Sequence, residues 1–163
     1  MKIRTDFVTN SSSSSFIVAF NSKEEGIDFF KDRKMTNDIF GIVAKDFDEA
    51  EPMNYEEMLK YAEEEFSSDV YFDIMCRPYQ GYRSYFDLLR EKYPNLKYNE
   101  LMALPELKEK EATLIQENIK ILSQKAQGKE YFVQLEYGDD MHSELEHEIM
   151  PYLECTIETF NHH

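Results

Sequence analysis

Tryptophan is absent from this sequence, and cysteine occurs only at Cys76 and Cys155. Two thiols cannot supply the disulfide framework that staples small secreted domains. Both are therefore expected to be reduced, buried, small hydrophobes in a cytosolic protein. Long apolar runs are missing too. No segment approaches the ~18 residues of a membrane span. The apolar run nearest the N-terminus, Phe16 to Phe20, is five residues long and follows serines. The hydrophobic region of a signal peptide needs about 7–15. The expected location is the cytoplasm, with no membrane contact. Positive charge is also short, with 18 Lys and Arg against 33 Asp and Glu, a net charge of −15 and a pI near 4.6. Such a field repels phosphates and anionic membranes, which argues against direct binding of duplex nucleic acid. It leaves one inversion open: a small acidic protein can imitate DNA and occupy the basic groove of a DNA-binding partner.

What is present describes a folded chain. Hydrophobic residues make up 42% and aromatics 14%, too much for intrinsic disorder. The 163 residues fit one domain spanning 1–163. A chain of that size buries roughly 68–70% of its unfolded surface without staples. Along it, "KIRTDFV" alternates as a half-buried strand and "FIVAF" reads as a central buried one. Ser22 and Glu25 match a capping box that opens a helix carrying Ile27 and Phe30 inward. "IFGIVA", 39–44, is expected to be a strand. Asn54 and Glu57 cap a helix with Tyr55, Met58, Leu59, Ala62 and Phe66 on one stripe. "VYFDIM", 70–75, is expected to be a further strand. Ser84 caps a helix with Phe86, Leu89 and Tyr93, stopped near Pro94. A longer helix follows Pro105, striped by Leu114, Ile115, Ile119, Leu122 and Ala126 and ended by Gly128. "YFVQLEY" and "LECTIETF" close the chain as strands, with a helix capped by Asp139 or Asp140 between them. Strands interleaved with helices predict an α/β or α+β fold, one layered domain with helices packed on a mixed sheet.

The stretch "FVTNSSSSSFIVAF" carries five consecutive serines between two apolar runs. Asn10, Ser11, Ser12, Ser13, Ser14 and Ser15 are expected to form an ordered loop between two strands, its hydroxyls bonding nearby backbone in place of a sheet. Such a loop is also a candidate contact for a ligand or partner. The segment "MKIRTDFVTNSSSSSFIV" resembles the opening of a scattered group of uncharacterised bacterial and phage proteins, which begin with a basic strand and a V-S/T-N-S-S-S-S-S-F motif. The resemblance covers residues 1 to about 18 and implies no activity and no catalytic residue.

Two other stretches could carry chemistry. "CRPYQGYRSYF", 76–86, holds Arg77 and Arg83 with no carboxylate between them, and Tyr79 and Tyr82 offer stacking faces. If it links a strand to the helix starting at Ser84, it is a natural anion loop. The competing reading pairs both arginines with surface carboxylates such as Asp73 and Asp87. Six residues separate Cys76 from Arg83, one too many for the C-x5-R loop of cysteine phosphatases. In "YGDDMHSELEH", 137–147, Asp139, Asp140 and His142 could hold a divalent ion, but helix capping explains the two aspartates more cheaply. His142 and His147 are five apart, and no Cys/His spacing resembles a zinc site. No metal and no cofactor is expected, and His162 and His163 carry no weight in this reading.

With no nucleophile–base pair, metal cluster or phosphate loop of recognised spacing, the expected function is that of a small acidic interaction or regulatory module, without catalysis, acting on a protein partner. A rival reading is a protein or enzyme for a phosphorylated or anionic small molecule, held by Arg77, Arg83 and the tyrosines with Asp139 or Asp140 assisting. The DNA mimic is a special case of the first.

Overall fold

The apolar run after the serines forms the centre of a sheet. A computed structural model describes residues 13–162. Strand β1 (Ser13–Phe20) lies between β2 (Tyr131–Gly138) and β3 (Thr156–His162), antiparallel to both, in the order β2-β1-β3. The fold is α+β: seven α-helices and this sheet among the described residues, the sheet antiparallel throughout and not mixed. Opposed pairs such as Phe16 with Leu135 and Val18 with Val133 fix the register, and β1 and β3 slip by a bulge at Ile17/Val18. The expected strand over "KIRTDFV" lies outside the described residues.

The described chain divides into two compact units. Residues 1–58 and 124–163 make up unit 1, and residues 59–123 make up unit 2. In unit 1, α1 (Lys23–Lys34) starts where the sequence places it. The Ser22 Oγ accepts from the Glu25 amide at 3.2 Å, while the Glu25 carboxylate accepts from the Asn21 amide at 2.6 Å. The segment 39–44 is not a strand. It opens α2 (Phe40–Glu49), which buries Phe40, Val43 and Phe47 at helical spacing. A six-residue apolar run cannot distinguish the two periods; the deciding residue, Phe47, lies beyond it. Phe16, Val18 and Phe20 of β1, Phe30 of α1, Val43 and Phe47 of α2 and Val133 and Leu135 of β2 form one buried cluster. Phe20 sits at its centre, with ring centroids 5.3 Å from Phe47, 5.4 Å from Phe29 and 5.8 Å from Phe30. Edge-on ring pairs of this kind add about 0.5–1.5 kcal/mol each beyond the area they bury. The opposite sheet face is buried as well, at Ile17, Ala19 and Phe132. Met53 extends the sheet by exchanging backbone hydrogen bonds with Phe132, at 2.8 and 3.3 Å.

Unit 2 is helical. Most of α3 (Tyr55–Cys76) belongs to it, and the helix runs through 70–75, where a strand was expected. Ala62, Phe66, Val70 and Ile74 are buried at strict four-residue intervals, while Phe72, which a strand would set on the same face as Val70 and Ile74, is 60% exposed. Asn54 and Glu57 cap this helix reciprocally at 2.8 and 2.9 Å. A tight turn follows, in which Gln80 and Gly81 take positive φ (46° and 85°) while Tyr79 and Tyr82 exchange backbone hydrogen bonds. Two left-handed central residues make the two-residue hairpin turn that favours glycine. Then come α4 (Tyr85–Lys92), α5 (Tyr98–Met102) and α6 (Pro105–Lys125). Phe86, Leu89, Leu101, Leu107 and Ile115 are buried. No described helix is long and apolar enough to cross a membrane.

Candidate functional site

The serines expected in a loop are strand residues, and their hydroxyls organise one end of the sheet. Asn10, Ser11 and Ser12 lie outside the described residues. Ser13, Ser14 and Ser15 begin β1, because β2 and β3 both run far enough to pair with them. Alternation then sends Ser14 to one face and its neighbours to the other. On the first face the buried Ser14 Oγ lies 2.9 Å from Glu146 Oε1 and 2.9 Å from Asn161 Oδ1. On the second, Ser13 donates to Glu136 at 2.9 Å, while Ser15 Oγ lies 2.8 Å from His162 Nε2 and accepts from Gln134 at 3.2 Å. Ser15 and His162 have the spacing of a nucleophile and its base, but Ser15 is 1% exposed, beyond the reach of a substrate.

Past β2 the chain makes two irregular turns that gather titratable groups. Helix α7 (Asp139–Glu144) opens on Gly138 with no side-chain cap, so Asp139 and Asp140 are its first residues and not its caps. His142 breaks it, with φ −140° and ψ 46°, and a π-helical turn follows over Leu145–Ile149. Such turns are rare and recur at functional sites. Here the kink and the wide turn fold Asp139 against His147, whose Nε2 is 2.5 Å from Asp139 Oδ1 and 3.4 Å from Glu146 Oε2. The hydrogen bond to Asp139 raises the His147 pKa above the usual imidazole value. Asp139 and His147 are exposed and Glu146 is buried at 2% exposure. Of the residues singled out from sequence, Asp139 belongs to this cluster. Asp140 is exposed, and the His142 ring packs on Tyr137 at 5.8 Å. Glu146 and His147 were missed, since ordinary helical spacing does not bring either to Asp139.

A further sequence signal points to the same place. From 131 to 163 the chain has no Lys or Arg, eight carboxylates and all four histidines. Unit 1 as a whole carries 21 acidic against nine basic residues, and unit 2 carries 12 against nine. The negative charge of the molecule is concentrated in unit 1.

Arg77, Tyr79, Tyr82, Arg83 and Ser84 belong to unit 2, apart from Asp139, Asp140 and His142 of unit 1. Their loop follows a helix, not a strand, so the expected strand-to-helix anion loop is absent. Arg77 pairs with Asp73 at 3.1 Å, just past the end of α3, and Arg83 with Asp87 at 3.6 Å, just before the start of α4. Ser84 is buried and accepts from the Asp87 amide at 3.0 Å, capping α4. Tyr79 meets Tyr85 edge-on at 5.2 Å, with the Lys110 ammonium 4.9 Å over the Tyr79 ring. Lys110 is the residue here that sequence reading passed over, since α6 delivers it from thirty positions away. With Arg77, Pro78 and Leu114 these groups line a groove of about 180 Å³. That is below the ~300–1,000 Å³ of ordinary ligand pockets. Cys76 is exposed, against expectation, because it ends α3 on the open side; Cys155 is buried and its thiol is pushed up to about 12 by burial.

No protein-family model, curated protein or solved structure matches this chain.

Proposed function

We propose that this protein is a non-catalytic binding module that engages a basic protein partner through the acidic end of unit 1. One observation carries the reading: residues 131–162 expose Glu136, Asp139, Asp140, Glu144, Glu148 and Glu154 and contain no Lys or Arg to neutralise them. Arg33 of α1 reaches Glu154, and Glu136, Asp140, Glu144 and Glu148 form no Lys or Arg ion pair among the described residues. Uncompensated charge of one sign raises encounter rates with an oppositely charged surface and rejects partners of like charge. Against the catalytic alternative, Ser15 of the Ser15–His162 pair is buried, and the groove of unit 2 has room for a fragment-sized ligand only.

A Lys/Arg-rich peptide, titrated against the full chain in a salt series, tests the proposal. Binding is expected to weaken steeply with salt. It should fall at least about tenfold in Asp140→Asn/Glu144→Gln/Glu148→Gln, the loss of about 1.4 kcal/mol. Glu63→Gln/Glu64→Gln on α3 should leave it unchanged. Equal loss in both variants, or no binding at low salt, overturns the reading. The DNA-mimic form adds one requirement: duplex DNA must compete for the partner.

A further inference from the structure

We infer that Asp139, Glu146 and His147 form a binding site for a divalent transition-metal ion, Zn²⁺ foremost. The inference goes beyond the partner-binding reading and stands without it. The three residues offer one imidazole nitrogen and two carboxylates, with donor atoms all within 4.8 Å of one another. Two donors about 2.1 Å from a tetrahedral ion are about 3.4 Å apart. His147 Nε2 and Glu146 Oε2 already have that spacing, at 3.4 Å. Asp139 stands closer to His147, at 2.5 Å, and must draw back by about 1 Å for both to bind one ion. It can do so, since both side chains are about half exposed, at 42% and 52%. Glu146 is the fixed point, buried and hydrogen-bonded by Ser14.

The donor set selects the ion. An imidazole among the ligands favours Zn²⁺ and its transition-metal neighbours over Mg²⁺ and Ca²⁺, which prefer oxygen alone. A divalent ion can contact all three residues at once, where a single hydrogen bond joins only two of them. Three protein ligands leave one position for water or for a group from a partner.

Zn²⁺ alone, titrated into the chelator-stripped full chain against a chromophoric indicator, is the direct test. One ion per chain is expected, with a matching rise in Tm. His147→Gln and Asp139→Asn, both at exposed positions, should each weaken binding at least about tenfold. His142→Gln and the pair His162→Gln/His163→Gln should leave it intact. The site is overturned by absence of stoichiometric binding, by binding indifferent to His147→Gln and Asp139→Asn, or by binding lost only with the terminal histidines. The variants avoid Glu146, so loss of binding cannot be confused with loss of the fold. Circular dichroism of each variant checks that point.

Discussion

Gly26 shows how much one missing methyl can matter. In an open helix Gly→Ala stabilises by about 1 kcal/mol. Gly26 sits inside α1, where an added Cβ would stand 2.2 Å from Phe47 Cζ, 2.5 Å from Phe47 Cε1 and 2.9 Å from Phe20 Cδ2. Phe47 is fully buried and locked among Phe20, Phe30 and Tyr131, so it has nowhere to turn. Overpacking of this kind costs about 1–3 kcal/mol and outweighs the gain in helix propensity. Gly26→Ala should therefore lower the urea midpoint. Gly41→Ala is the contrast, because its Cβ meets the end of the Lys34 side chain at 3.1 Å, which can swing aside. That variant should be neutral or stabilising, and a loss as large as that of Gly26→Ala would show that propensity and packing have been weighed wrongly.

At the scale of the element, starts of helices are written locally and ends of patterns are not. Ser84 makes the first point: it is 1% exposed and accepts the Asp87 amide. Ser84→Ala should cost about 1 kcal/mol, up to about 2, with Ser84→Thr largely restoring it. Amide exchange at Asp87 should accelerate in the alanine variant; unchanged exchange would mean that α4 is held by packing alone. Ser22 with Glu25, and Asn54 with Glu57, were legible for the same reason, since a cap needs only residues three apart. The segments 39–44 and 70–75 were not, because a short apolar run looks the same in a strand and in a buried helix. Val70 and Ile74 continue a stripe begun at Ala62, and only the whole 22-residue helix reveals it. The cluster at Asp139, Glu146 and His147 was hidden more deeply. A kink at His142 and a π turn replace the regular period, so no spacing rule reaches from 139 to 147.

For the whole molecule the governing quantity is charge. A net charge of −15 sets like charges against one another in the folded state. Raising ionic strength from about 0.01 M to about 0.15 M shortens the screening length from about 30 Å to about 8 Å. Sodium chloride should therefore raise the midpoint of thermal unfolding over that range, read by circular dichroism. A fall would mean that the ion pairs of the surface, such as Lys23 with Asp48 and Lys92 with Glu106, outweigh the repulsion. The acidity itself was plain from composition; its concentration in unit 1 required the fold to bring the two ends of the chain into one unit.

The strand order has a consequence for how the chain is made. β1 is the middle strand, and both of its neighbours come from beyond residue 130. During synthesis its buried run, Phe16 to Phe20, meets neither β2 nor β3 until more than a hundred further residues have followed. At about 5–20 residues per second that interval lasts many seconds. Throughout it, an apolar strand with two open edges is free to pair with other chains. The flanking serines before it and the charged α1 after it are then the nascent chain's own guard against aggregation, well before they serve the finished sheet.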